Sequence, residues 1–147
     1  MQNTYKESAK ITLKDIDSLR KGTRPEKLVR RVLTNLGYSY RLNKYNLPGR
    51  PDIVLENLKK IIFVHGCFWH RHACNNSKIP KTNKKYWEKS LQNTQSRDLH
   101  NCLTLALLGY DIYIVWECKA TIKNYSNLEK DIAEYLGSDR FLSSIKK

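Results

Sequence analysis

The sequence predicts an α/β (α+β) domain in which a small mixed sheet is flanked by helices. Three observations support this. An amphipathic stretch with its own cap opens the patterned part of the chain at residues 23–37. Short apolar runs of strand character follow at residues 52–55, Lys60–His65 (KIIFVH) and Asp111–Trp116 (DIYIVW). A long helical stretch at residues 83–108 separates the last two runs, and a further helical period follows them. Helix, three strands, long helix, strand, helix is the order of a sheet covered by helices.

In chain order, residues 1–22 are mixed in charge, and Leu13, Ile16 and Leu19 recur every third residue, which permits a short helix. Thr23 and Glu26 form a T-x-x-E capping box. Leu28, Val29, Val32, Leu33 and Leu36 then share one helical face, and Gly37 is placed to end it. Residues 38–42 form a candidate strand, and NKYNLPGR at 43–50 is a loop by its Asn, Pro and Gly content. Residues 52–55 and Lys60–His65, joined by a polar turn at 56–59, predict a hairpin. Residues 66–81 are irregular. The long helix is basic and polar in its first half and buried in character in its second, and Gly109 stops it. Ser126 and Glu129 make a second capping box for a helix that Gly137 ends. The predicted organisation is an N-terminal segment 1–22, one domain 23–137 and a loose tail 138–147.

Lys and Arg number 27 against 14 Asp and Glu, a formal charge of +13. Such an excess predicts a polyanionic partner, nucleic acid or an anionic membrane surface. There is no apolar run of 18 residues, so a spanning helix is excluded. The opening MQNTYKESAKITLKD has no apolar core of a signal peptide, so a cytoplasmic protein is expected. With 40% hydrophobic residues a single core can be built, and six Gly and four Pro argue against a low-complexity chain. No self-complementary apolar patch or heptad stands out, so a monomer is expected.

Cys67, His72 and Cys74 cluster in the irregular segment, and Cys118 directly follows the DIYIVW strand. Three thiolates and an imidazole form a tetrahedral zinc set; being closed at four ligands, it would be structural. Zinc would pin the irregular loop to the end of a core strand. The alternative is three unrelated buried thiols and a surface His. Cys102 falls in the apolar half of the long helix and reads as a core residue.

A second constellation consists of Glu26, Asp52, His65 and His70. A phosphodiester hydrolase needs a carboxylate to hold Mg²⁺ and a base to activate water. Asp52 can do the first, and the imidazoles suit the second because they titrate near neutral pH. Each residue also has a plain alternative. Glu26 can be a capping residue, Asp52 a turn carboxylate, His65 a satisfied core histidine, and His70 a metal ligand in place of His72. Phe68 and Trp69 are either core cover or exposed for use. Lys78, Lys81, Lys84, Lys85 and Lys89, interleaved with Tyr86 and Trp87, are either a solvated helix face or a phosphate-tracking surface.

The stretches LPGRPDIV, IIFVHGCFWHRHAC and IVWEC resemble the very short patch repair (Vsr) DNA mismatch endonucleases. The resemblance runs from Thr23 to Cys118, and the pattern around Asn93, Arg97 and Asp98 is also similar. It implies a restriction-endonuclease-like PD-(D/E)xK-type core with a structural zinc. The activity implied is nicking 5′ to the thymine of a T·G mismatch. It further implies that Asp52 and the Val64 carbonyl hold Mg²⁺, that His70 is the base, and that His65 and Glu26 support metal-bound waters and the phosphate. Cys67, His72, Cys74 and Cys118 would hold Zn²⁺. Phe68 and Trp69 would wedge beside the mismatched pair, and Lys84 and Lys85 would contact the backbone.

The chain departs from that family in two places. Val64 stands where the family usually has Thr, and the family's N-terminal apolar wedge, often Met, is matched poorly: the only Met is Met1, and Asp15 lies at the corresponding spacing before Glu26, with Leu13 and Ile16 nearby. The expected partners are mismatched double-stranded DNA and mismatch-repair proteins, with action at the nucleoid. Two alternatives remain: a Vsr-type nicking or restriction endonuclease acting on intact DNA, and a zinc-stabilised DNA-binding module without catalysis.

Overall fold

The computed structural model describes residues 22–44 and 46–145, with side chains described as far as Gly137. The short helix expected around Leu13, Ile16 and Leu19 lies outside the described residues.

Helix α1 (Arg24–Asn35) begins where its cap predicts: the Thr23 Oγ1 accepts the Glu26 N–H at 3.4 Å, and Pro25 sits in the first turn. Its end is a left-handed glycine turn. The Tyr38 N–H reaches the Leu33 carbonyl and the Gly37 N–H that of Thr34, with Gly37 at φ +80°. The same pair of bonds closes α2 (Lys84–Leu107), from Tyr110 to Leu105 and from Gly109 to Ala106. Both expected glycine stops are therefore present.

Four strands form one sheet in the order β1 (Arg41–Leu42), β2 (Ile53–Leu55), β3 (Lys60–His65), β4 (Asp111–Trp116). The first three are antiparallel neighbours, and β3 runs parallel to β4 with Lys60 opposite Asp111 and His65 opposite Trp116. The predicted hairpin is β2–β3, and its turn is a single 3₁₀ turn, Glu56–Leu58, closed by Lys59 at φ +53°. The candidate strand at 38–42 pairs only at Arg41 and Leu42, and Asp52 precedes β2 rather than beginning it.

Alternate residues feed two cores, as a strand's period of two requires. Ile53, Leu55, Ile62 and Val115 pack with Val29, Val32 and Leu33 of α1 and with Leu128, Ile132 and Leu136 of α3 (Tyr125–Ile145). Val54, Ile61 and Phe63 face the other way, onto Leu105 of α2, with Cys102 partly buried beside them. Helices thus cover both faces of a small mixed sheet. At the far end of the sheet the buried Lys60 ammonium bonds to Asp111 (3.3 Å) and to the Tyr135 carbonyl (3.0 Å), which satisfies a charge that would otherwise be costly to bury.

The last helix differs from its sequence signals. It starts at Tyr125, one residue before Ser126, and the Leu128 N–H bonds to the Asn124 carbonyl. The expected Ser126 box therefore lies inside the first turn. The helix also runs through Gly137 to Ile145 instead of ending there; a glycine inside a helix costs only about 1 kcal/mol, which its packed neighbours can cover. Among the described residues, no helix is long and apolar enough to cross a membrane.

Candidate active site and metal cluster

Because β3 and β4 are parallel, their C-terminal ends lie side by side, and both clusters assemble there. A cleft of about 180 Å³ opens between these strand ends and α2, lined by Arg50, Asp52, Val64, His65, His70 and Asp98 among others. Asp98 and Cys102 reach it because they share the inward helical face with Leu105, at spacings of four and seven residues.

Asp52 and Val64 meet as the hairpin predicts. One Asp52 oxygen, Oδ2, accepts the Val64 N–H at 2.7 Å. Within a strand, a residue's N–H and C=O point to the same edge. The Val64 carbonyl therefore faces the Asp52 edge, while the next carbonyl, that of His65, is taken by the Glu117 N–H on the β4 side. Burial pushes the Asp52 carboxyl up to about 6. The Val64 N–H pulls against that rise, the charge of Glu26 adds to it, and Arg30 and His70 oppose it. A carboxylate raised in this way is one that a cation would stabilise.

His65 is buried, and its ring stacks on that of His70 with centroids 3.7 Å apart. Burial and the His70 charge hold the His65 imidazole down at about 4, against a smaller pull from Asp98. His65 is therefore neutral at physiological pH. The His70 Nδ1 pairs with Asp98 Oδ2 at 2.5 Å. A carboxylate on Nδ1 fixes that ring's tautomer and leaves Nε2 as the acceptor. The donor atoms of His65, His70 and Asp98 lie within 4.8 Å of one another. The two rings are nearly parallel, however, so their in-plane lone pairs do not converge on a common ion.

Glu26 stands just behind the cleft, paired with the buried Arg30 at 3.4 Å. Its charge reaches Asp52, but it does not line the cleft.

The second cluster joins Cys67, His72, Cys74 and Cys118, whose donor atoms all lie within 4.8 Å of one another. Its backbone is pre-folded: the His72 N–H bonds to the Cys67 carbonyl and the Cys74 N–H to that of His72. Glu117 Oε1 takes the Cys67 N–H at 3.0 Å. Burial pushes the Cys67 thiol up to about 12. Without a cation the Cys67 sulfur stays protonated; a bound cation would favour its thiolate. Three thiols and an imidazole at this spacing fit a single soft divalent ion. Trp116 separates the two clusters, its indole stacked on His72 at 4.3 Å and edge-on to His65 at 5.5 Å.

Phe68 and Trp69 join neither core. They form edge-to-face contacts with each other and with Trp87, and Tyr86 meets Trp87 in turn. Trp69 is 55% exposed and Tyr86 65%. Lys84 and Lys85 are exposed at the start of α2, where Lys84 pairs loosely with Glu88.

Sequence reasoning gave Asp98 no catalytic role and did not place Trp87 with Phe68 and Trp69. Each carried a signal: Asp98 lies on the helical face shared with Cys102 and Leu105, and Trp87 is an indole within a lysine-rich turn.

A mixed α/β domain with a carboxylate–imidazole cleft beside a Cys₃His cluster has the groups of a hydrolytic enzyme and a donor set able to hold a metal ion. The family model described as DNA mismatch endonuclease Vsr matches residues 3–76, a span that includes the N-terminal segment. The Type II nicking enzyme V.XorIIP of Xanthomonas oryzae pv. oryzae is 42% identical over 99 residues, covering 67% of this chain and 73% of the relative. The DNA mismatch endonuclease Vsr of Escherichia coli is 40% identical over 93 residues, 63% of this chain and 60% of the relative. The Type II nicking enzyme V.HpaIIP of Haemophilus parainfluenzae is 33% identical over 116 residues, 78% of this chain and 82% of the relative. The chain belongs to the Vsr family of DNA endonucleases.

Proposed function

We propose that the protein is a Mg²⁺-dependent DNA mismatch endonuclease. It hydrolyses the phosphodiester 5′ to the thymine of a T·G mismatch and so nicks one strand in very short patch repair. The observation that carries this is the convergence of Asp52, the Val64 backbone edge and the His70–Asp98 pair in one cleft. The core is of PD-(D/E)xK type, with the Val64 carbonyl and histidines standing where a second acidic ligand and a lysine would be.

Asp52 and the Val64 carbonyl hold the Mg²⁺, and Lewis-acid stabilisation of charge on the phosphoryl oxygens is what that ion supplies when bound. His70, with Nδ1 held by Asp98, takes the proton of the attacking water at Nε2. Neutral His65 stacks beneath it, fixing the ring plane and donating a hydrogen bond toward the phosphate. Glu26, paired with Arg30, orders water at the back of the site. Zn²⁺ held by Cys67, His72, Cys74 and Cys118 is structural: it locks the turn that carries His70, Phe68 and Trp69.

Phe68, Trp69 and Trp87 form the wedge. Inserting such rings between base steps costs a few kcal/mol of unstacking, and least at a mismatch, which gives one source of selectivity. Lys84 and Lys85 contact backbone phosphates and give affinity rather than sequence choice. The protein acts as a monomer at the nucleoid, alongside mismatch-repair proteins.

The test is a nicking assay with Mg²⁺ on two labelled duplexes, one carrying a single T·G mismatch and one its T·A twin. Nicking of the mismatch alone, 5′ to the thymine, is the expected result. A second reading is favoured by the 42%-identical relatives being named Type II nicking enzymes: the same chemistry on intact DNA, for which both duplexes would be cut. Binding with no cleavage of either duplex would overturn both.

A further inference from the structure

The loop that delivers Asp52 carries backbone strain of an unusual kind. Its turn spans Leu47 to Arg50, closed by the Arg50 N–H to the Leu47 carbonyl at 3.1 Å. Pro48 and Gly49 occupy the centre, with Gly49 at φ +75°, as a type II turn requires. The left-handed backbone then continues one residue further: Arg50 sits at φ +47°. That region is unfavourable for any long side chain. It is doubly so here, because Arg50 precedes Pro51, and residues before proline are pushed toward extended conformations. Strain of this kind persists where it serves a site. The surroundings hold it in place: a Cβ on Gly49 would come within 3.1–3.2 Å of the Asn101 side chain, so the loop is pressed against α2.

The conformation sets the guanidinium-bearing residue at the cleft wall. Among the described residues lining the cleft, the titratable groups are two carboxylates, Asp52 and Asp98, two imidazoles and the Cys102 thiol, and Arg50 is the one fixed cation. The His65 ring is stacked against that of His70, and His70 is held to Asp98 through Nδ1. A pentacoordinate phosphorus gathers negative charge on its non-bridging oxygens, and a cation is needed to meet it. A guanidinium presents a planar fork matched to two phosphate oxygens.

We propose that Arg50 is a catalytic residue: its guanidinium binds the non-bridging oxygens of the scissile phosphate as charge develops there. This rests on the endonuclease reading above. The left-handed backbone at Arg50 is what brings the fork to the phosphate while leaving Asp52, two residues on, aimed at the metal position.

The test uses the full chain with zinc retained, single-turnover nicking of the T·G duplex in Mg²⁺, and affinity for the same duplex in Ca²⁺. Arg50→Gln should slow nicking by about 10²–10³-fold, the loss typical of removing one transition-state donor, while affinity changes only a few-fold. Arg50→Lys should recover part of the rate. Arg50→Gly is the decisive variant. Glycine accepts the left-handed region freely, so its melting temperature should be unchanged or higher while nicking is lost, and millimolar free guanidinium should restore some rate. A residue needed only to shape the loop would show the reverse: Arg50→Gly active, and no rescue. Wild-type rates in Arg50→Gln or Arg50→Gly, with the wild-type enzyme nicking normally, would overturn the role of Arg50 alone. Failure of the wild-type enzyme to nick would instead overturn the endonuclease reading on which it rests.

Discussion

Replacing Asp52 by Asn should make the Mg²⁺-free protein more stable while abolishing its chemistry. The Asp52 carboxyl is raised from 3.8 to about 6 in the folded chain. Below pH 3.8 the group is protonated in both states and costs nothing. Between pH 3.8 and about 6 the unfolded chain ionises while the folded one resists, so stability falls as pH rises; above about 6 the full penalty remains. Two pKa units correspond to about 3 kcal/mol. Partial solvent access and the cost of burying a neutral amide reduce the net gain to about 1–2 kcal/mol. The amide that replaces the carboxylate keeps an acceptor for the Val64 N–H, so the hairpin is undisturbed. For a domain of this size the gain is about 2–8 °C in Tm. The assay is thermal unfolding of the zinc-loaded wild type and variant from pH 5 to 8, without and with Mg²⁺. The difference between the two proteins should be largest near pH 7.5 and about half as large at pH 5. Taking the difference also removes the contribution of His65, which runs the other way: with its folded value near 4, it costs stability as pH falls from 6.5. Mg²⁺ should raise the wild-type Tm and leave the variant unmoved. A variant that melts below wild type at pH 7.5, by an amount independent of pH, would be incompatible with a strained, cation-seeking carboxylate at this position.

Other outcomes follow from the same geometry. Asp98→Asn should slow nicking by about 10²–10⁴-fold by releasing the His70 tautomer, with melting and DNA affinity nearly unchanged. Metal analysis should find one zinc per chain. Cys74→Ser should lose it and unfold or aggregate, because structural zinc contributes folding energy directly; a stable, zinc-free variant would remove the cluster from the account. Trp87→Ala should weaken binding to the T·G duplex by about 1–3 kcal/mol, as loss of a stacking ring does, and should affect the matched duplex less. Equal losses on both duplexes would make Trp87 a general contact.

Much of the fold was legible because its signals are local. The glycine stops at Gly37 and Gly109, the Thr23 cap and the apolar run through Lys60–His65 each act within one turn or one strand. Ser126 and Gly137 misled for the same reason: equally local cues were overruled, by Asn124 one residue upstream of the helix and by packing of Leu128, Ile132 and Leu136. The gathering of Cys67, His72, Cys74 and Cys118 was legible from residue type, since few other needs place three thiols and an imidazole so. The His70–Asp98 pair was not, because it joins a turn to a helix 28 residues away, through a face that only the packing of Leu105 establishes. The strain at Arg50 is likewise invisible in a sequence whose Pro-Gly-Arg-Pro announces only a loop.

Trp116 gives the two halves of the site a shared fate. Its indole is stacked on the His72 ring and meets the His65 ring edge to face. A change that displaced His72, such as oxidation of the neighbouring thiols, would be felt through the indole at the His65–His70 stack. The two clusters are therefore not independent: one indole ties the geometry of the imidazole pair to that of the Cys₃His set.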